Sequence, residues 1–171
     1  MNRVNVMTDK IFSLSGKKRT CLLIFLWFIT ALVMYIIFSF SAQSAEGSKE
    51  LSQGLLNRIL EIIPFEISHV FLRKAAHFSE YALLGAVSFC AFSFTLKRKC
   101  FIWGWVLSAV YAVTDEVHQL FIPGRACRAF DVFIDSLGAA AGIAFAALVF
   151  FILGLIYKRV KSGKAKSDSA P

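Results

Sequence analysis

Long apolar runs, broken by short polar clusters, organise the chain. Residues 21–40 carry no charge. At about 1.5 Å per residue, such a run covers the roughly 30 Å of a bilayer's hydrocarbon core. Residues 75–96 form a second run, with only His77 and Glu80 as ionisable groups. Residues 101–121 form a third, free of charge until Asp115. Residues 130–157 form a fourth, charge-free after Asp135. The pattern predicts an all-α, polytopic membrane protein with four transmembrane helices in a compact bundle. The first run is longer than the apolar stretch of a typical signal peptide, so it reads as a retained span.

Between the first two runs the period changes. Leu51, Leu55, Ile59 and Ile62 recur at helical spacing, opposite Lys49, Gln53, Asn57 and Glu61. This predicts one external amphipathic helix over residues 48–63, lying on the membrane surface and stopped by Pro64. A further helix should begin near Phe65 and run unbroken into the second span. The chain then divides into a basic tail (1–20), a transmembrane domain (21–157) and a second basic tail (158–171) expected to be disordered.

Composition agrees with lipid as the solvent. Of 171 residues, 57% are apolar and 18% charged. Soluble domains average roughly 45–50% and about 25%. A disordered chain and a disulfide-stapled secreted module are both excluded. The net charge of +8 would suggest nucleic acid in a soluble protein. Here Lys and Arg sit between the apolar runs, where they specify topology, and no nucleic-acid partner is expected. Thirteen of them fall in the two tails and the 97–99 connection, against six on the other side. By the positive-inside rule both termini are cytoplasmic, and segments 41–74 and 122–129 are external. Only Cys127 of the four cysteines is then external, so it has no disulfide partner within the chain.

The candidate chemistry lies in polar stripes within the spans. Ionisable groups buried in a membrane are costly, normally paired, and candidates for function. Glu66, His69, Arg73, His77 and Glu80 follow one another by three or four residues, with Tyr81 beside them. Gly104, Ser108, Tyr111, Asp115 and His118 form a second stripe, flanked by Glu116 and Gln119. Asp131, Asp135, Gly138 and Gly142 form a third, ending in a GxxxG that permits close helix approach. The third span starts inside, which places Asp115 about 20 Å along it. The second and fourth start outside, so their polar groups reach the same layer. A polar pocket opening outward is expected, with Arg125 and Arg128 on a Pro123-Gly124 turn beside it. Plainer readings stand next to this one. Arg125 and Arg128 could be interfacial charges, Asp131 a helix-dipole partner, and Asp115 half of a structural ion pair with Arg125 or His118.

Two blocks resemble the VanZ-like family of small bacterial membrane proteins. The first runs from Arg73-Lys74 through His77-Phe78, Glu80-Tyr81 and Leu84-Gly85. The second runs from Thr114-Asp115-Glu116 through His118-Gln119, Phe121, Pro123-Gly124-Arg125 and Asp131 to Gly138. The serine-bearing stretch 39–44 is also similar. Asp135 departs from the pattern, which has Asn there. The resemblance implies a four-span protein of the bacterial plasma membrane. Its founding member is associated with resistance to teicoplanin, a glycopeptide that binds wall precursors outside the membrane. Some members carry the label phosphotransbutyrylase, which outward-facing polar groups do not support.

Two functions follow as expectations. In the first, Arg73, His77, Glu80, Tyr81, Asp115, Glu116, His118, Gln119, Arg125, Asp131 and Asp135 bind or shield a polar head group at the outer face. The partner is then a membrane lipid such as a lipid-linked wall precursor, and no cofactor is needed. In the second, the protein is a membrane-embedded hydrolase or transferase acting on a lipid-linked substrate. His77 or His118 would be the general base, oriented by Asp115 or Glu116. A metal held by His77, Glu80, Asp115 and His118 is a weaker variant. A proton path fits poorly, because the inner halves of the spans are apolar.

Overall fold

The computed structural model describes residues 16–60 and 68–167, and they form five helices. These are α1 (Gly16–Ser41), α2 (Ala45–Leu60), α3 (His69–Leu96), α4 (Phe101–Gln119) and α5 (Ala129–Ser167). The expected end of the amphipathic helix at 61–63, its stop at Pro64, the helix start near Phe65 and the stripe residue Glu66 lie outside the described residues.

The helix bounds differ from expectation for identifiable local reasons. α1 starts at Gly16, five residues before residue 21, because Lys17, Lys18 and Arg19 extend the helix. Arg19 turns back to donate to the carbonyls of Thr95 (3.1 Å) and Phe94 (3.5 Å). α2 begins at Ala45, where the Ser44 hydroxyl accepts from Gly47 N (3.2 Å). α3 begins at His69, and Ser68 caps it by accepting from Phe71 N (3.2 Å). Its far end closes on Lys97 in the left-handed conformation (φ 53°), with the Lys97 N–H donating to Ser93 O. α5 continues to Ser167, so the segment after Tyr157 is helical where a disordered tail was expected. Residues 158–167 contain a single Gly and no Pro to break it.

α3 and α5 make the most extensive contact, and α4 packs against both. α1 lies mainly along α3. Small residues make the α3–α5 seam close. A Cβ on Gly138 would meet Phe78 O, one on Gly142 would meet Ala82 O, and one on Gly85 would meet Ala139 O. Backbone therefore touches backbone, as small-residue motifs allow. Val33, Ile37, Tyr81, Leu84 and Ala112 form the buried cluster at the junction of α1, α3 and α4.

Large apolar side chains point outward all round the bundle. Ile24, Ile102 and Phe145 are each about two-thirds exposed. Water would not tolerate this coat, whereas lipid would. Three helical segments, Gly16–Ser41, Val70–Leu96 and Ala129–Val160, are long and apolar enough to cross a membrane. α4 is set apart by its polar end, which carries Asp115, Glu116, His118 and Gln119. The chain is a helical membrane protein.

Candidate functional site

The predicted stripes meet where the ends of α3, α4 and α5 surround the loop 120–128. That loop is pinned. Arg125 Nε donates to Gln43 O (2.9 Å) and a terminal nitrogen to Phe40 O (3.4 Å). Ala45 N donates to Pro123 O (3.3 Å). Gly124 turns the chain with φ 75°, and a Cβ there would press on Ala45 Cβ at 3.0 Å. The connection between α1 and α2 is thus tied to the Pro-Gly-Arg turn.

Under this turn lies a polar cavity of about 110 Å³. Arg73 and His77 come to it from α3, Glu116 and Gln119 from α4, Arg125 from the loop, and Asp131 and Asp135 from α5. Seven of the eleven residues singled out from sequence therefore line one space. Glu80 faces an adjoining groove with Arg73, His77 and Arg125. Tyr81 and Asp115 sit behind, 0% and 4% exposed. His77, Glu80, Tyr81, Arg125 and Asp135 all lie within electrostatic reach of Asp115, which puts it at the centre of the cluster.

His118 does not join them. Its ring lies on Phe38 of α1, with centroids 4.6 Å apart, and it lines neither space. The expected ion pair of Asp115 with Arg125 or His118 is not made among the described residues; Gln119 Nε2 reaches Asp115 Oδ2 at 3.4 Å instead. Glu116 is also committed, accepting from Arg128 N at 2.7 Å. The loop thus contacts Glu116 through the Arg128 backbone. Among the described residues no group of three or more His, Cys, Asp and Glu could hold a metal ion. The set His77, Glu80, Asp115 and His118 is not gathered, because His118 turns away towards α1.

Lys74 is a cavity residue the spacing argument passed over. Its ammonium pairs with Asp131 Oδ1 at 3.1 Å and lies 4.4 Å from the centroid of Phe130. The signal was its place beside Arg73 in the first block. Gln43 and Phe40 act through their carbonyls, and only the similarity of stretch 39–44 hinted at them.

Several buried polar atoms here have no partner: His77 Nδ1, Tyr81 Oη, Asp115 Oδ1 and both carboxylate oxygens of Asp135. His77 and Glu80 come closest to pairing, Nδ1 to Oε2 at 3.9 Å. Arg73 has no hydrogen-bond or ion-pair partner among the described residues. Burial pulls the Arg125 guanidinium below its ordinary value, and the neighbouring Arg73 pulls the same way; arginine stays charged regardless. The groups that line the two spaces can bind an anion through Arg73 while offering acceptors to amines, amides or sugars.

Asp135 gives a direct test of this arrangement. It is 1% exposed, and the carboxyls of Asp115, Glu116, Asp131 and Glu80 all lie within electrostatic reach of it. Asp135→Asn removes an ionisable carboxyl, keeps the size and breaks no hydrogen bond. The melting temperature in detergent should hold or rise, because an amide cannot ionise beside the surrounding carboxyls. A clear fall would show that the carboxylate is held by a counter-charge.

A family model described as VanZ/LLP1 matches residues 25–153. No curated protein and no solved structure matches the chain.

Proposed function

We propose, from a chain that belongs to the VanZ/LLP1 family, that it binds or shields a phosphate-bearing head group at the outer face of the bacterial plasma membrane. One observation carries this reading. Arg73, without a partner among the described residues, shares a cavity with His77 and Asp135, whose buried atoms are also unpartnered. Burying unsatisfied polar groups is costly, so a site built from them is suited to an occupant that satisfies them. Arg73 would take the phosphate, and Asp135 and Glu80 would accept from amines or amides. A lipid-linked wall precursor is such a molecule. Shielding it would fit the teicoplanin resistance that the family resemblance implies.

A photo-crosslinkable analogue of a lipid-linked precursor tests the proposal. Labelling should fall near Arg73 and Arg125. Arg73→Ala should weaken binding roughly ten-fold or more, the equivalent of about 1.4 kcal/mol or above for one lost charge-assisted contact. Binding unaffected by that substitution, in a protein that still folds, would end the proposal.

The topology belongs to the same proposal: α4 crosses as a fourth span, and both termini are cytoplasmic. Cys127 is exposed and lies on the loop of the Pro-Gly-Arg turn, whereas Cys21 is exposed near the start of α1. A membrane-impermeant maleimide added to intact cells should label Cys127 and spare Cys21. The opposite pattern would invert the topology and place the cavity in the cytosol.

A second reading rests on the His77–Glu80 approach at 3.9 Å. With Glu80 orienting His77 as general base, the same pocket would hydrolyse or transfer a head group. Turnover of a lipid substrate that His77→Ala abolishes would favour it over simple binding.

A further inference from the structure

The polar cavity has a companion. A groove of about 430 Å³ adjoins it, walled by Phe40 of α1 and by Leu72, Ala75 and Ala76 of α3, with Ser79 and Glu80 also on its wall. Arg73, His77 and Arg125 line both spaces. The two therefore adjoin across these three side chains, one with a charged lining and the other with a largely apolar one.

The groove is open for a reason. Position 75 and position 76 are alanines, and Ser79 folds its hydroxyl back onto Ala75 O at 2.7 Å. That stretch of α3 thus presents little bulk. Phe40 stands across from it, held in place because its own carbonyl accepts from Arg125. Arg125 thereby belongs to the head end and also fixes one wall of the apolar end. A free phosphate or soluble sugar phosphate would use only the charged end. A phosphate-bearing lipid would use both.

We infer that the groove between α1 and α3 holds the first part of an acyl or prenyl chain whose phosphate head lies in the adjoining polar cavity. This rests on the head-group reading above and names the ligand class: an amphiphile taken with its chain. The chain segment nearest the head would replace lipid contacts along α3. Arg73 would lie at the boundary between head and chain.

The experiment uses the full chain in nanodiscs of phosphatidylcholine. The probe is phosphatidic acid with a diazirine on the first third of one acyl chain, and labelled residues are mapped by mass spectrometry. Labelling should concentrate at Phe40, Leu72 and Ala76. Ala76→Trp fills the groove and should cut that labelling roughly ten-fold, while background labelling of outward residues such as Phe133 and Phe145 persists. Ser79→Trp, on the same wall, serves if the first variant does not fold. Labelling no denser in the groove than at Phe133 and Phe145 would overturn the inference, as would insensitivity to both tryptophans.

Glycerol 3-phosphate, which has a head and no chain, separates this failure from failure of the head-group reading. Arg73-dependent binding of glycerol 3-phosphate without groove labelling would sink the groove and leave the head site standing. Absence of both would sink both. Groove labelling that survives Arg73→Ala would overturn the single shared ligand.

Discussion

Gly142→Val should unseat the bundle. A Cβ at that position runs into the Ala82 carbonyl, which is backbone and cannot swing aside. Overpacking a well-filled interior costs roughly 1–3 kcal/mol and occasionally more. Here the obstacle is one helix axis against another, so the upper end of that range or beyond is expected. The protein should melt at a markedly lower temperature in detergent, or fail to accumulate in the membrane. Gly54 in α2 supplies the contrast, because nothing lies within 4 Å of a Cβ built there. Gly54→Ala should be neutral or stabilise by up to about 1 kcal/mol, since alanine is the better helix former. Equal tolerance at both positions, measured by thermal unfolding, would mean that α3 and α5 are not in backbone contact.

Arg125→Ala should release the connection between α1 and α2. Two hydrogen bonds from one guanidinium, to Gln43 O and Phe40 O, would vanish together. Bonds to charged groups contribute roughly 1.5–3 kcal/mol each, and this pair is partly exposed with one long member, so a combined loss of about 2–3 kcal/mol is expected. Limited proteolysis should then cut at residues 42–44 faster than in the wild type. Arg125→Lys should recover only part of the loss, because one ammonium cannot reproduce a fork that spans two carbonyls. An unchanged cleavage pattern in Arg125→Ala would leave Pro123 O and Ala45 N as the effective tie.

Charge-free runs locate helices well, because lipid forbids the alternatives. They locate helix ends poorly. Nothing in a hydropathy pattern stops Lys17–Arg19 or Lys158–Lys166 from continuing a helix into water, and both stretches are helical. The stripes on α3 and α5 were legible because i, i+3 and i+4 spacing keeps a side chain on one face. His118 shows the limit of that rule. Steps of four and three residues pass a full turn by about 40° and fall short of it by about 60°. A stripe therefore has two edges, and His118 lies on the same edge as Tyr111, which donates to Met34 O of α1. Which neighbour receives it depends on packing, and here α1 does, through Phe38. The carbonyl ties of Gln43 and Phe40 were illegible for a different reason. A peptide oxygen is the same in every residue, and only the chain's path aims it. The GxxxG announced a close approach but named no partner; the Phe78 and Ala82 backbone supplied it.

Stiffness is unevenly distributed in this molecule. The glycine seam leaves α3 and α5 no slack to slide or part. α1, by contrast, buries only Thr30, Val33, Ile37 and Ser41 and is held by a handful of polar ties: Arg19 near its start, Trp27 to Thr95 and Tyr111 to Met34 O along its length, and the Arg125 fork at its end. A fold that had to admit something bulky sideways from the bilayer would yield along that edge, where separate polar ties can break one by one, while the remaining helices stayed still.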